Sequence, residues 1–173
     1  MKKHKKQNKK RGFSLIELLI VVAIILIIAA IAIPNLLRSR IAANEASAVG
    51  SLRTLNTAEI TYNTTYPNVG FACSLSALGP PTTGAASSAT AGLIDANLAG
   101  GIKSGYSFAF LNTQCTPSGG INTTYDIKAS PSSPGNTGQR YFCSDISGVI
   151  QFNSAATGAF TDSSGVCSTG TPI

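Results

Sequence analysis

A continuous apolar segment near the amino terminus constrains this chain more than any other feature of its sequence. From Phe13 to Ile33 only Ser14 and Glu17 are polar among 21 residues. At about 1.5 Å per residue a helix of this length spans roughly 31 Å, which matches the hydrocarbon core of a bilayer. The sequence therefore predicts a transmembrane helix over residues 13–33.

Two alternatives for this segment are weaker. A secretory signal peptide has an apolar core of about 7 to 15 residues followed by a cleavage site of small residues, and Ala29, Ala30 and Ala32 would supply the small residues. A buried core helix would need cover on every side, and few domains of 173 residues could provide it.

Charge is distributed unevenly about the apolar segment. The chain has 13 Lys and Arg against seven Asp and Glu, for a net charge of +6. From Phe13 onward six cations face seven acids, a balance of about −1, so the chain is not basic overall. The positive-inside rule then predicts a cytoplasmic amino terminus and translocation of the remainder. The cations that precede the segment are Lys2, Lys3, Lys5, Lys6, Lys9, Lys10 and Arg11.

Glu17 is an acid inside the predicted membrane segment. A carboxylate there costs on the order of 2 to 3 kcal/mol, and such residues usually have a partner or a task. The alternative is that Glu17 lies shallow enough in the membrane to reach the headgroups.

A basic leader ending in Gly12, then Phe13, then Glu17 among aliphatic residues closely resembles the class III signal sequence of type IV pilins and of the related pseudopilins of type II secretion. The resemblance is strong over residues 8–60 and architectural beyond them.

The resemblance implies how the chain would be processed and assembled. A prepilin peptidase would cut between Gly12 and Phe13, remove the leader of residues 1–12 and methylate the new amine of Phe13. Glu17 would then neutralise the amino-terminal nitrogen of a neighbouring identical subunit in a filament. Pro34, which removes a hydrogen bond to the carbonyl of Ala30, would kink or loosen the helix.

The same resemblance implies partners and a location. The partners would be the peptidase, identical subunits, an inner-membrane assembly platform and membrane lipid. The precursor would be a single-pass inner-membrane protein with its amino terminus in the cytoplasm, and the assembled form would be an extracellular filament. Residues 13–33 would form both the membrane anchor and the filament core.

Residues 34–62 are predicted to continue the same helix in amphipathic form. Gly50, the single glycine of this stretch, costs about 1 kcal/mol in a helix and indicates close packing or a bend. The apolar stripe, at spacings of three, four and seven, consists of Leu37, Ile41, Ala48, Leu52, Leu55 and Tyr62. The polar residues mostly off that stripe are Arg38, Arg40, Asn44, Glu45, Arg53 and Asn56.

Residues 63–173 are predicted to form a globular, disulfide-stapled exported domain. Turn residues at 63–70 are predicted to end the helix. Residues 79–92 and 130–138 are predicted to be connecting loops, and a short helix is expected near 91–99. Alternating patterns predict three or four antiparallel strands, at 106–110, 125–129, 141–143 and 149–152. The fold class is therefore α+β, a long helix packed on a small antiparallel sheet, which agrees with the ladle fold of pilins that the resemblance implies.

Four cysteines lie in this domain, at Cys73, Cys115, Cys143 and Cys167. An even number at long spacings in an exported domain indicates two disulfides rather than a metal site. The sequence leaves all three connectivities open. The carboxyl-terminal disulfide of many pilins favours Cys143 with Cys167, which leaves Cys73 with Cys115.

Catalytic groups are not expected in the mature chain. The single histidine of the sequence, His4, lies in the leader, so a Ser-His or Cys-His pair cannot form after cleavage. No cofactor or metal is expected. The aspartates adjoin turn residues, where a capping or turn role is expected, although Asp145 and Asp162 could bind calcium; the four are Asp95, Asp126, Asp145 and Asp162.

The resemblance therefore implies the major pilin of a type IV pilus. A pseudopilin of type II secretion is the main alternative, and two cysteine pairs favour the exposed fibre over it. A competence pilin that binds DNA is a further alternative, but nucleic-acid binding needs clustered cations and the mature chain has six scattered ones. Two Asn-Thr-Thr sequences, at Asn63 and Asn122, match a glycosylation pattern that is common by chance in such a chain.

Overall fold

The computed structural model describes residues 13–111, 120–154, 160, 167 and 170–173. Contacts divide the chain into two compact units, Met1–Arg38 and Ser39–Ile173. The helices within the described ranges are α1 (Leu15–Thr65), α2 (Leu75–Leu78) and α3 (Ala96–Ala99). The strands there are β1 (Ile102–Lys103), β2 (Tyr106–Phe110), β3 (Asp126–Pro131), β4 (Arg140–Asp145), β5 (Ile150–Ser154) and β6 (Thr171–Pro172).

The described part of the first unit is the amino-terminal half of α1. From Phe13 to Arg38 every residue is exposed except Ala29, which is partly buried. The helix is long and apolar enough to cross a membrane, and its most apolar stretch has no buried residue. A helix that is apolar on all sides needs cover from protein or lipid, so this segment has the surface expected of a membrane span.

The second unit buries the amphipathic half of α1 in its core. Ala48, Leu52, Leu55 and Tyr62 are buried among side chains of the sheet, as the helical spacing predicts. Leu37 contradicts the predicted stripe because it is 41% exposed. The reason is that Leu37 precedes Ser39, where the second unit begins.

The sheet is a six-stranded antiparallel meander in the order β1 to β6. Register pairs include Tyr106 with Pro131 and Lys128 with Cys143. Alternate side chains of the strands point toward α1 and form the core with it. The buried side chains that β2 to β5 contribute to this core are Tyr106, Phe108, Ile127, Ala129, Phe142 and Ile150. The fold is α+β and pilin-like, as the sequence predicts.

Some predicted boundaries are wrong, and local contacts give the reasons. Strand β3 continues to Pro131, its last residue, so the predicted connection at 130–138 begins two residues early. Pairing of Tyr106 with Pro131 and of Ser107 with Ser130 extends the strand this far. Helix α3 starts at Ala96 rather than near 91, because residues 91–94 donate backbone hydrogen bonds to carbonyls at 77–79. Strands β1 and β6 have two residues each, too few for a periodic signal.

Candidate functional site

The first turn of α1 joins the residues that the sequence singles out near the amino terminus. Ser14 immediately precedes the helix, and its carbonyl accepts the N–H of Glu17 at 3.1 Å and of Leu18 at 3.3 Å. The backbone N–H of Ser14 donates to Glu17 Oε2 at 2.9 Å. A Ser followed three residues later by a Glu that reaches back to the cap N–H is one half of a capping box.

Glu17 is therefore bound within its own chain through one carboxylate oxygen. Its place in the first turn also puts negative charge beside the positive end of the helix dipole, which stabilises the helix start. The residue is exposed, as are its neighbours. The carboxylate can thus meet a donor from outside the chain by exchanging or sharing this single hydrogen bond.

The other predicted site residues of the first unit have simpler surroundings. Phe13 lies before the helix and is 76% exposed, while Gly12 and the rest of the leader lie outside the described residues. Pro34 lies inside α1, which continues through it without a break. Its predicted kink stays a prediction, as do cleavage after Gly12 and methylation of Phe13.

One of the two expected disulfides is present in the described part of the chain. Cys143 is bonded to Cys167, with a Cα–Cα distance of 5.8 Å. Both residues are buried and pack with Phe160 in a small second core. Cys115 lies outside the described residues, so the Cys73–Cys115 pairing stays a prediction.

The aspartates have structural tasks where they are described. Asp95 caps α3 by accepting the N–H of Leu98 at 3.0 Å, and a hydrogen bond from Lys103 helps to lower the pKa of Asp95. Asp145 Oδ1 accepts the N–H of Ser147 and Oδ2 accepts the N–H of Cys167, so it holds both a turn and the disulfide.

Asp126 corrects the turn interpretation, because it is a buried residue of strand β3. Asp162, the other proposed calcium ligand, lies outside the described residues. The described residues contain no group of three or more His, Cys, Asp or Glu side chains that could hold a metal ion. Asn122 is buried and its amide donates to the carbonyl of Phe71 at 3.0 Å, so it is closed to a glycan in the folded chain.

Three of the buried polar residues of α1 make contacts that the sequence does not predict. Glu45 binds Arg140 with an Nε–Oε2 distance of 2.7 Å, and Asn56 donates to Ser144 Oγ at 2.8 Å. Glu59 is fully buried and accepts the backbone N–H of Ala72 at 2.8 Å. Glu45 and Asn56 were placed mostly off the apolar stripe, and polar residues off such a stripe give no signal of burial unless their distant partners are known.

Two of the six cations in the described chain are held in ion pairs. Lys103 is paired with Asp95 and Arg140 with Glu45. The remaining four, of which three lie on α1 and one on β3, are Arg38, Arg40, Arg53 and Lys128. These ion pairs reduce the charge available to a nucleic acid further than the sequence alone indicates.

Two comparisons show which known proteins this chain is similar to. Residues 7–33 match the family model of the prokaryotic N-terminal methylation motif. The chain is also 51% identical over 51 residues to a type IV major pilin protein, PilA, of Myxococcus xanthus (strain DK1622). That match covers 30% of this chain and 23% of the relative. No solved structure matches the chain.

These findings confirm the resemblance to type IV pilins that the amino-terminal residues carry. The similarity is to a pilin rather than to an enzyme. The apolar helix and the family fit an inner-membrane precursor that becomes part of a pilus.

Proposed function

We propose that this chain is the major pilin of a type IV pilus, a structural subunit that waits in the inner membrane and then assembles into an extracellular filament. The observation that carries the proposal is the uncovered apolar surface of α1 from Leu15 to Ile33. Such a surface needs lipid before assembly and the helices of identical subunits after it. Helix association in lipid depends on packing and on polar contacts between helices.

Glu17 supplies the polar contact. After cleavage between Gly12 and Phe13, the new amine of Phe13 would be a positive group about 6 Å along the helix axis from Glu17. An axial displacement of one helical turn between neighbours would bring this amine to the Glu17 carboxylate of the next subunit. Opposite charges attract far more strongly in a medium of low dielectric than in water. The pairing would relieve the cost of holding the Glu17 carboxylate in the membrane and would set the register between subunits.

Processing would require the prepilin peptidase and methyltransferase, and extraction would require the inner-membrane platform. The amino terminus would start in the cytoplasm, in line with the seven cations of the leader. The 51-residue similarity to a major pilin supports the choice of a filament subunit. A pseudopilin of type II secretion is the rival, since the amino-terminal motif is common to both.

The test compares two substitutions of Glu17. Gln retains an oxygen that can accept the N–H of Ser14, and a capping box accepts Gln as well as Glu; Val removes both the cap and the charge. We expect each variant to reach the membrane and lose surface fibres, as seen by electron microscopy. Normal fibres from Glu17→Gln would show that the cap rather than the charge matters, and normal fibres from Glu17→Val would refute the assembly role.

Two further measurements separate the proposal from its rival and test processing. Deletion of the chain should abolish surface fibres and leave protein export intact; loss of export with fibres intact would instead identify a pseudopilin.

Mass spectrometry of the mature chain should find methylated Phe13 as its first residue. Any other first residue would contradict the proposed processing.

A further inference from the structure

The fully buried carboxylate of Glu59 lies where the chain leaves helix α1. After α1 ends at Thr65, the chain turns through backbone hydrogen bonds from Val69 and Gly70 to the carbonyl of Tyr66. The returning backbone then passes Glu59, whose Oε2 accepts the N–H of Ala72 at 2.8 Å. Glu59 thereby ties the segment 70–73 to the helix that precedes it.

Asn122 holds the same segment from another part of the chain. Its backbone carbonyl accepts the N–H of Phe71 at 3.0 Å, and its side-chain amide donates to the carbonyl of Phe71 at 3.0 Å. Two side-chain oxygens are left over within the described residues, Glu59 Oε1 and Asn122 Oδ1, both buried and without a hydrogen-bond partner. Buried polar atoms of folded proteins nearly always have a partner, so these two acceptors lack a donor.

The electrostatics of the site identify a proton as the simplest donor. Burial raises the pKa of Glu59 to about 8, and the N–H of Ala72 opposes that rise only in part. The titratable groups that face Glu59 are Tyr62 on the same helix and Tyr125 ahead of β3. Burial first and the charge of Glu59 second raise the pKa of both tyrosines. Neither tyrosine offers a positive charge, so a bare carboxylate at this position would be buried with only the N–H of Ala72 to compensate it.

We propose that Glu59 is a proton-binding switch that clamps the segment 70–73 onto helix α1. With its proton, the neutral acid accepts the N–H of Ala72 through one oxygen and donates its O–H toward the acceptor Asn122 Oδ1. When the proton leaves to solvent, an uncompensated charge faces that acceptor, the segment loosens and water enters. This clamp, formed by Glu59, Ala72 and Asn122, acts within one subunit and is independent of filament assembly.

The sign of the pH effect follows from the raised pKa. The folded chain holds the Glu59 proton up to about pH 8, whereas the unfolded chain loses it near 4.5. Stability from this group is therefore complete below the unfolded pKa and is lost as the pH rises through the folded one. Between these limits the ratio of unfolded to folded chain should rise by up to about tenfold per pH unit.

The test uses the full chain in detergent micelles and the variant Glu59→Gln. Glutamine keeps an oxygen for Ala72 and offers N–H donors to Asn122 without titrating. We expect urea midpoints of the wild type to fall between pH 5 and 8 and those of Glu59→Gln to stay level over the same range. The matched control Asp95→Asn, which removes an exposed carboxylate, should retain the wild-type slope. Equal slopes in the wild type and Glu59→Gln would overturn the proposal.

A second measurement needs only the wild type and covers the case in which Glu59→Gln does not fold. Amide hydrogen exchange should show residues 70–73 opening at least about tenfold more, beyond the intrinsic effect of base, as the pH rises through the folded pKa of Glu59. The carboxyl of Glu59, followed by NMR, should titrate together with this opening. A carboxyl that titrates near its ordinary value, or exchange at Ala72 that follows only the intrinsic rate, would refute the clamp.

Discussion

Glu45 shows at the residue scale how one side chain can fix a loop to a helix. It is buried, and its Oε1 accepts the N–H groups of Gln139 at 2.8 Å and Arg140 at 3.2 Å. Its Oε2 accepts Arg140 Nε, and the Arg140 guanidinium lies 5.3 Å from the ring centre of Phe152. The carboxylate thus accepts hydrogen bonds from three donors at the start of β4, and its removal would take all three away.

We expect Glu45→Ala to lower the free energy of unfolding by about 1 to 3 kcal/mol, since hydrogen bonds to a charged group contribute more to stability than neutral ones. Urea unfolding of the full chain in micelles, followed by the near-ultraviolet dichroism of its tyrosines, measures this. Lys103→Ala breaks the exposed pair with Asp95 and should change the value by less than about 0.5 kcal/mol. Equal losses in the two variants would contradict the role assigned to Glu45.

Two glycines make a second matched pair. A Cβ at Gly138 would overlap the hydroxyl of the buried Tyr106, whereas a Cβ at Gly50 would meet no atom within 4 Å. Gly138→Ala should destabilise the chain by about 1 to 3 kcal/mol through overpacking. Gly50→Ala should stabilise it by about 0.5 to 1 kcal/mol, because alanine favours a helix interior. The same unfolding assay measures both, and opposite signs are the expected outcome.

The open space around Gly50 corrects part of its sequence interpretation. Nothing in the described chain packs closely on this glycine, so close packing within the subunit does not explain it. If Gly50→Ala stabilises the subunit in micelles but reduces fibre formation, the glycine serves a contact between subunits.

At the scale of elements, the carboxyl-terminal residues are held by both a covalent and a polar link. The disulfide joins β4 to Cys167, whose N–H also donates to Asp145 Oδ2 at 3.0 Å. These links place Cys167 and Phe160 beside the buried Cys143, and β6 pairs with β5 further along the chain.

We expect the double variant Cys143→Ser, Cys167→Ser to lose about 3 kcal/mol of unfolding free energy, because a closed loop of 24 residues no longer restricts the unfolded chain. Serine keeps the backbone N–H that binds Asp145, so the polar link should survive. Denaturant unfolding under oxidising conditions measures the loss. A double variant as stable as the wild type would show that the polar link is sufficient.

Periodicity explains which elements the sequence could predict. The stripe from Ile41 to Tyr62 and the alternation at Tyr106 and Phe108 each repeat often enough to identify a helix and a strand. Strands β1 and β6 are too short for that. The buried polar contacts were beyond such patterns because their partners are distant: Glu45 and Arg140 are 95 residues apart, and Asn56 and Ser144 are 88 apart.

The site at the amino terminus was predictable for a different reason. Its residues follow one another in a short motif, so no folding is needed to bring Phe13, Ser14 and Glu17 together. The carboxylate is unusual by its place in an apolar segment, whereas its bond to the N–H of Ser14 comes from the structure. The signal was present in the Ser-x-x-Glu spacing.

At the scale of the whole molecule, the leader determines the net charge. The precursor carries +6, and the chain from Phe13 onward has six cations against seven acids. Isoelectric focusing in detergent should therefore show a strongly basic precursor and a processed chain near neutrality. A variant that blocks cleavage, such as Gly12→Val, should remain in the basic position; a basic processed chain would contradict removal of the leader.

The exposed apolar surface of the first unit has a consequence for how subunits could be exchanged. Burying one large aliphatic side chain is worth about 1.5 to 3 kcal/mol, and such side chains lie exposed along α1 from Leu15 to Ile33. Dissolving a single subunit in water would thus carry a penalty of tens of kcal/mol. Free monomers in the surrounding medium should be vanishingly rare, and a shortening fibre would have to return its material to lipid.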